Sequence, residues 1–180
     1  MTADDSVPIK PPRRTLPPYS YVTGRWPHPT RDPAGHSYGA APPKVEPISP
    51  ADWQRSDEYL WACELFNHGY YWEAHEAWES LWHAARRTGP TAELLQGLIK
   101  LAAAGVKARE GRPAGVRRHA ARAIELFSKV RGQVQSSHYL GLDLGTLIER
   151  AAAIQRSPPE STAGDAPVEI VFNFKLQPSN

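Results

Sequence analysis

Histidine and glutamate residues are concentrated in one short stretch of the sequence, FNHGYYWEAHEAWESLWH at residues 66–83. If this stretch is helical, with about 100° between residues, His75 and Glu79 lie one turn apart on the same side. Glu76 lies a little further round, and all three border an apolar face. Side chains three or four positions apart on a helix have Cβ atoms about 5 to 6 Å apart. The spacing therefore predicts a polar cluster at the edge of the core.

The types of these side chains favour a divalent metal site. His75 and Glu79 are the expected ligands, with Glu76 as a further ligand, and Zn, Mn and Fe are the metals that suit such a donor set. The order differs from the metalloprotease motif, in which two histidines flank a glutamate base. If the site is catalytic, we expect a metal-activated water with Glu76 as general base, and hydrolysis of an unidentified substrate.

Two structural explanations fit the same cluster. One is a His–Glu pair that stabilises the helix, and the other is a buried polar network that fixes the packing of a helical hairpin. The alternatives differ in what Glu76→Gln does. Stability stays nearly unchanged if Glu76 serves a ligand, and falls by about 1 to 3 kcal/mol if Glu76 anchors a buried network.

Further candidate residues flank the cluster. Asn67 and Trp72 are expected to contribute to a ligand site, together with Gln96 and Lys100 from a polar stripe on the following helix. If this stripe faces the cluster, Lys100 neutralises one of its carboxylates. A solvent-exposed face explains the same stripe and is the favoured interpretation.

Residues 1–48 are expected to form a proline-rich extension, because twelve of the eighteen prolines fall within the first fifty residues and no apolar periodicity is present there. The extension nevertheless carries aromatic residues that disordered segments do not need, at Tyr19, Tyr21, Trp26 and Tyr38. We therefore predict that it is partly ordered, wraps the helices and brings His28 or His36 to the polar cluster.

Residues 49–157 are predicted to be an all-α domain, an array of antiparallel helical hairpins. Ser49 is the expected cap of the first helix, and the third helix, apolar over most of its circumference, is the expected central element. Single glycines, Gly69 and Gly111, mark corners similar to those of tetratricopeptide repeats, although they are 42 residues apart rather than about 34. The predicted helices are approximately 50–67, 71–86, 91–109, 113–132 and 143–156.

Residues 158–180 are predicted to be a linker followed by a strand-like tail. The segment VEIVFNFKLQ at 168–177 alternates apolar and polar residues, which is typical of a strand. A single strand needs an edge to pair with. Three locations are open: pairing with the N-terminal segment, lying on the helices, or joining another chain and so forming an oligomer.

The composition narrows the class of protein. A formal net charge of +2 over 180 residues does not require a nucleic-acid or membrane partner, and the one dense basic cluster, RRHAAR at 117–122, is expected to be a solvated helix face. The single cysteine, Cys63, excludes an internal disulfide and fits a reducing compartment. The N-terminus lacks the apolar region of a secretory signal. We therefore expect a cytoplasmic protein.

The runs FNHGYYWEAHEAWESLW and LLQGLIKLAAAGVKAREGRPAGVRRHAARAIELF closely resemble the bacterial and archaeal family known as domain of unknown function 309. The N-terminal run PPYSYVTGRWPHPTRDPAGH resembles an extension carried by some members. The resemblance implies an all-helical fold and a shared polar site, but no established activity. Its signature falls on Asn67, Gly69, Tyr71, Trp72, Glu73, His75, Glu76, Glu79 and Trp82, and its second element falls on Gln96 to Ile99.

These observations favour a helical protein whose His/Glu cluster lies between the second and third helices and binds a divalent metal or another small ligand. The alternative is an interaction scaffold, in which the hairpins present a groove to a peptide of another protein and the cluster is structural.

Overall fold

Five α-helices account for most of the chain in a computed structural model, which describes residues 14–179. The expectation about a secretory signal concerns residues that lie largely outside this range. A 3-10 turn, Trp53–Arg55, precedes the first helix, and a two-stranded antiparallel hairpin separates the last two helices. The elements are α1 (Asp57–Asn67), α2 (Tyr71–Ala84), α3 (Gly89–Arg109), α4 (Pro113–Val134), β1 (His138–Tyr139), β2 (Leu142–Asp143) and α5 (Leu144–Arg156). The predicted all-α class is confirmed.

Helix α3 is the central element, as its apolar sequence predicts. It packs against both α2 and α4, while α1 packs on α2 and α5 packs on α4. Two glycines let the neighbours approach closely. A Cβ at Gly105 would lie 2.5 Å from Cγ of Tyr71, and a Cβ at Gly97 would lie 2.4 Å from the Phe127 ring. The small residues of α3 therefore set the distance between the helices that carry the polar residues.

The first helix begins later than the sequence predicts. Ser56, rather than Ser49, is its N-cap, and the Ser56 side chain accepts a hydrogen bond from the backbone N–H of Tyr59. Ser49 instead begins a turn in which its carbonyl accepts the N–H of Asp52. This turn leads into the 3-10 segment and buries Trp53. The long-range burial of a tryptophan therefore outweighs the local capping signal.

The hairpin between α4 and α5 is not predicted from the sequence. Its turn places Leu140 at a φ of 47° and Gly141 at a φ of 75°. Leucine is not a typical residue at positive φ, so the dipeptide carries no turn signal. The turn is fixed by tertiary contacts: Leu140 is buried, and its carbonyl accepts a hydrogen bond of 2.9 Å from the Tyr59 hydroxyl.

Both flanking segments pack onto the helices. Residues of the N-terminal segment and of the C-terminal tail are buried in the core, among them Tyr19, Val22, Ile48, Phe172 and Leu176. Of the three locations open for the tail, the structure has it on the helices. Residues 168–176 belong to no strand, and residue 173 is a bend, so the predicted strand is not formed there. Within residues 14–179, no helix combines the length and apolar character needed to span a bilayer.

Candidate functional site

Helix α2 carries its polar residues on two faces. His75, Glu76 and Glu79 form one group, which we call the outer cluster. Glu73 is buried on the other face, and three further buried side chains also contact the flanking segments. We call Asn67, Tyr71, Glu73 and Arg109 the clamp residues, because they hold the two flanking segments.

The outer cluster brings together the three side chains expected from the sequence. One possible ligand atom of each lies within 4.8 Å of the other two, and no other group of three His, Cys, Asp or Glu residues in the described chain is so arranged. His75 Nδ1 lies 3.3 Å from Glu76 Oε1, and these side chains are 28% and 47% exposed. Glu79 is half-buried and makes no hydrogen bond or ion pair with residues 14–179. The cluster is therefore accessible and only partly paired.

The stripe on α3 is half-buried at both Gln96 and Lys100. Among the described residues, no ion pair joins Lys100 to a carboxylate of the outer cluster. Lys100 instead acts electrostatically on His119, a residue of α4. Burial, and then the positive charges of Lys100 and its neighbours, lowers the pKa of His119 to about 4. His119 is therefore a neutral imidazole at pH 7.

His119 was not singled out from the sequence. It belongs to the basic run RRHAAR, whose charges predicted a solvated face, yet His119 itself is half-buried. The positive charge of His75 also contributes, as the smallest of the named causes, to lowering the His119 pKa. The helical phase of α4 was the available signal, but only packing shows which face of α4 is covered.

The expectation that a histidine of the N-terminal segment reaches the outer cluster is not met. His36 Nε2 lies 3.1 Å from Glu73 Oε1, and both side chains are almost completely buried. His28 packs edge-on against Trp72, with ring centroids 5.5 Å apart. Neither belongs to the converging group. The physical reason is the buried carboxylate of Glu73, which requires donors and takes His36 as one of them.

Glu73 organises the N-terminal segment around its carboxylate. Oε2 accepts a hydrogen bond of 2.8 Å from the Ser20 hydroxyl, and Oε1 accepts one of 2.9 Å from the backbone N–H of Tyr21. With His36, three donors surround a side chain that is 7% exposed. The sequence indicated only that Glu73 points away from the outer cluster. Its partners lie 37 to 53 residues away in the chain and leave no local signal.

Asn67 binds the protein's own C-terminal tail. Its Nδ2 donates to the carbonyl of Leu176 at 2.8 Å, and its Oδ1 accepts from the N–H of Leu176 at 2.7 Å. The amide thus pairs with one residue of extended backbone in the way a neighbouring strand would. In this structure the ligand of Asn67 is residue Leu176.

Tyr71 and Gly69 complete the docking of the tail. The Tyr71 hydroxyl accepts hydrogen bonds from the backbone N–H groups of Val171 and Phe172. Burial raises the pKa of Tyr71 to about 12, although these two bonds oppose the shift. Gly69 has a φ of 85°, and a Cβ there would lie 2.6 Å from the carbonyl oxygen of Glu169. A side chain at this corner would therefore displace the tail.

Arg109 connects the two flanking segments. Its guanidinium is buried and donates to the carbonyl of Ser20 at 3.2 Å and to that of Ala166 at 2.9 Å. Next to it, the backbone N–H of Ser20 donates to the carbonyl of Pro167 at 2.9 Å. Burial lowers the pKa of this guanidinium. The end of α3 therefore fixes both segments at one point.

Comparison with known proteins identifies one family. Residues 59–119 match the family described as Domain of unknown function (DUF309). No curated protein matches the chain. The matched range runs from the first turn of α1 to His119 in α4, and it contains the outer cluster and the clamp residues. Through its helical segment 59–119, the chain is thus similar to the DUF309 family.

Proposed function

We propose that the outer cluster binds a divalent metal ion. The observation that carries this proposal is the convergence of three ligand atoms within 4.8 Å, one imidazole nitrogen and two carboxylate oxygens. Glu79 makes no hydrogen bond or ion pair within residues 14–179, so its charge is not balanced by a described neighbour. A cation between the two carboxylates would remove their mutual repulsion.

The dimensions of the cluster suit a small ion. Metal–ligand bonds of about 2.0 to 2.2 Å place two ligand atoms of one ion at most about 4.4 Å apart. The side chains are partly exposed, so small rotations close the remaining distance. A mixed nitrogen and oxygen donor set fits Zn, Mn or Fe.

The proposed site leaves room for chemistry. Three ligands from one helix leave coordination positions open for water or another ligand, as in catalytic rather than structural zinc sites. A bound ion would supply Lewis acidity and make its water more acidic. If Glu76 acts as general base rather than as a ligand, its carboxylate would take the proton. Gln96 and Lys100 would contact the ligand from α3. Hydrolysis is the reaction class proposed.

Metal analysis of purified protein tests the proposal. After incubation with micromolar Zn or Mn and desalting, the wild-type protein is expected to retain near-stoichiometric metal. His75→Ala and Glu79→Gln are expected to retain none. His68→Ala is a matched control, because His68, the C-cap of α1, also pairs with a glutamate, Glu64, but belongs to no group of three ligands in the described chain. A wild-type protein without metal would overturn the proposal.

A second candidate function has its own support. The clamp residues hold extended backbone through side-chain hydrogen bonds, so the helical array already binds peptide segments of its own chain. This favours the interaction scaffold, in which a groove between helices accepts a peptide of a partner. Under this alternative the outer cluster only supports the hairpin. Because the Glu76 side chain is 47% exposed, Glu76→Gln would then cost less than about 1 kcal/mol in the free energy of unfolding, which urea unfolding measures.

A further inference from the structure

A cavity of about 390 Å³ lies between the N-terminal segment and helices α1 and α2. Its volume is in the range of small-molecule sites, about 300 to 1,000 Å³. Indole, aliphatic and acidic side chains line it, and the argument rests on Trp61, Leu65, Trp72, Glu58, Glu73 and Glu76. Of the outer cluster, only Glu76 reaches this cavity; His75 and Glu79 do not line it.

We propose that this cavity binds a small organic cation, an alkylamine or guanidinium compound with a short hydrocarbon chain. The proposal goes beyond metal binding and does not require a metal. The volume of the cavity, its charge and its aromatic walls each support a ligand of this class.

The charge of the cavity favours cations. Three carboxylates line it; Glu58 is already paired with Arg14, but no lysine or arginine of the described chain lines the cavity itself. The one basic group in the lining is His36, whose Nε2 is already engaged by Glu73. Glu76 is the least occupied carboxylate: Oε1 lies 3.3 Å from His75, and Oε2 makes no hydrogen bond with residues 14–179. An entering cation therefore finds a free acceptor.

The aromatic walls favour an organic cation over a bare ion. Trp72 and Glu76 are four positions apart on α2, so an indole and a carboxylate lie on the same side of the helix. Indole rings attract cations over their faces, most strongly where water is excluded. Leu65 and Trp61 add apolar surface that a hydrocarbon chain would cover.

The protein itself provides a precedent at the edge of this cavity. The guanidinium carbon of Arg14 lies 5.6 Å from the centroid of the Trp61 ring, and Nη1 of the same residue lies 2.7 Å from Oε2 of Glu58. One indole and one carboxylate thus already hold a cationic group there. Trp72 and Glu76 offer the same pair of groups to a ligand.

Calorimetric titration with n-butylammonium and agmatine tests the proposal, with uncharged n-butanol as the reference. The wild-type protein is expected to bind both cations and not n-butanol. Trp72→Leu and Glu76→Gln are each expected to weaken binding roughly five- to tenfold, as the loss of a cation–π contact or a charge pair predicts. Unfolding curves of each variant verify that it is folded.

Matched controls lie on the same helix. Trp82→Leu removes an indole and Glu79→Gln removes a carboxylate, but neither side chain lines the cavity, so both variants should bind the cations like wild type. Trp72→Leu should retain metal, and Glu79→Gln should lose it. The metal proposal and the organic-cation proposal can therefore be tested independently. Absence of cation binding, equal binding of n-butanol, or unchanged binding by both Trp72→Leu and Glu76→Gln would overturn the proposal.

Discussion

Both faces of α2 carry glutamates, but their carboxylates differ in how completely they are hydrogen-bonded. Glu73 is 7% exposed and accepts hydrogen bonds from Ser20, Tyr21 and His36. Glu79, less than two turns further along, is half-buried and has no such partner within the described chain. A buried carboxylate is stable only when donors surround it. The completeness of pairing, rather than residue type, therefore separates a structural carboxylate from one available to a ligand.

The family signature divides between these two faces. Its first part holds the flanking segments: Asn67 and Tyr71 bind the C-terminal tail, Gly69 makes space for it, and Glu73 binds the N-terminal segment. Its second part forms the outer cluster. The same signature thus contains both the residues that bind the two flanking segments and a candidate binding site.

Removing the inner carboxylate is expected to have the largest effect. Glu73→Ala leaves the Ser20 hydroxyl, the Tyr21 N–H and the His36 imidazole without their acceptor. We expect a loss of about 3 kcal/mol in the free energy of unfolding, measured by urea denaturation. Glu79→Ala is the control, with an expected loss of less than about 0.5 kcal/mol. Equal losses of stability in the two variants would contradict the difference in pairing between Glu73 and Glu79.

Asn67→Ala is expected to destabilise the protein by about 2 kcal/mol, because both backbone groups of Leu176 lose a buried partner. The effect should be local, since the tail is held at several points. Hydrogen exchange at the Leu176 amide is expected to accelerate more than exchange within α3. Asn173→Ala, at an exposed position of the same tail, is the control. Unchanged protection of Leu176 would contradict the pairing.

Acidification is expected to destabilise the protein through His119. Its pKa is about 4 in the folded protein and 6.5 for an unperturbed histidine, so the unfolded chain binds the proton more tightly. The contribution is fully present above pH 6.5 and is lost as the pH falls from 6.5 to 4. We expect it to be about 1 to 2 kcal/mol after allowance for solvent screening.

Urea unfolding across this pH range measures the effect as the difference between wild type and His119→Asn. The groups that act on His119 are Lys100, Lys107, Arg118 and His75, and they remain in the variant. His138→Asn, at an exposed position of the hairpin, is the control and should follow the wild-type curve. Parallel curves for wild type and His119→Asn would show that His119 is not responsible.

Glu79→Gln is expected to have the smallest effect on the protein without metal, less than about 0.5 kcal/mol. In the presence of Zn or Mn the difference should grow, because a ligand that binds only the folded state raises its stability. Thermal unfolding should therefore show a metal-dependent rise in Tm for wild type and none for Glu79→Gln. The same rise in Tm in both proteins would show that the metal does not stabilise the protein through the outer cluster.

Much of the fold is predictable because helix formation depends mainly on residues that are close together in the sequence. Apolar spacing and glycine corners indicated five helices, and a local cap starts the last of them, since Asp143 accepts a hydrogen bond of 2.6 Å from the N–H of Thr146. The start of α1 was wrong because the burial of Trp53 depends on residues far away in the chain. The turn at Leu140 was missed for the same reason.

The outer cluster was also predictable, because His75, Glu76 and Glu79 lie on one helix and their separation follows from helical geometry alone. The partners of Asn67 and Glu73 were not, since they come from segments without regular structure. Many of the hydrogen bonds that hold those segments go to backbone groups, which any sequence can supply, and the side-chain partners Ser20 and His36 lie 53 and 37 residues from Glu73. No pattern of residue types therefore announces them.

By itself, the sequence determined which side chains share a turn of α2, because the rise and twist of a helix are the same in every protein. Only the tertiary structure decided which of those side chains are covered. That outcome depends on where residues 14–48 and 158–179 cross the helices, and their path is set by buried donors and acceptors distributed over the whole chain. Glu73 became an anchor and Glu79 remained available for that reason.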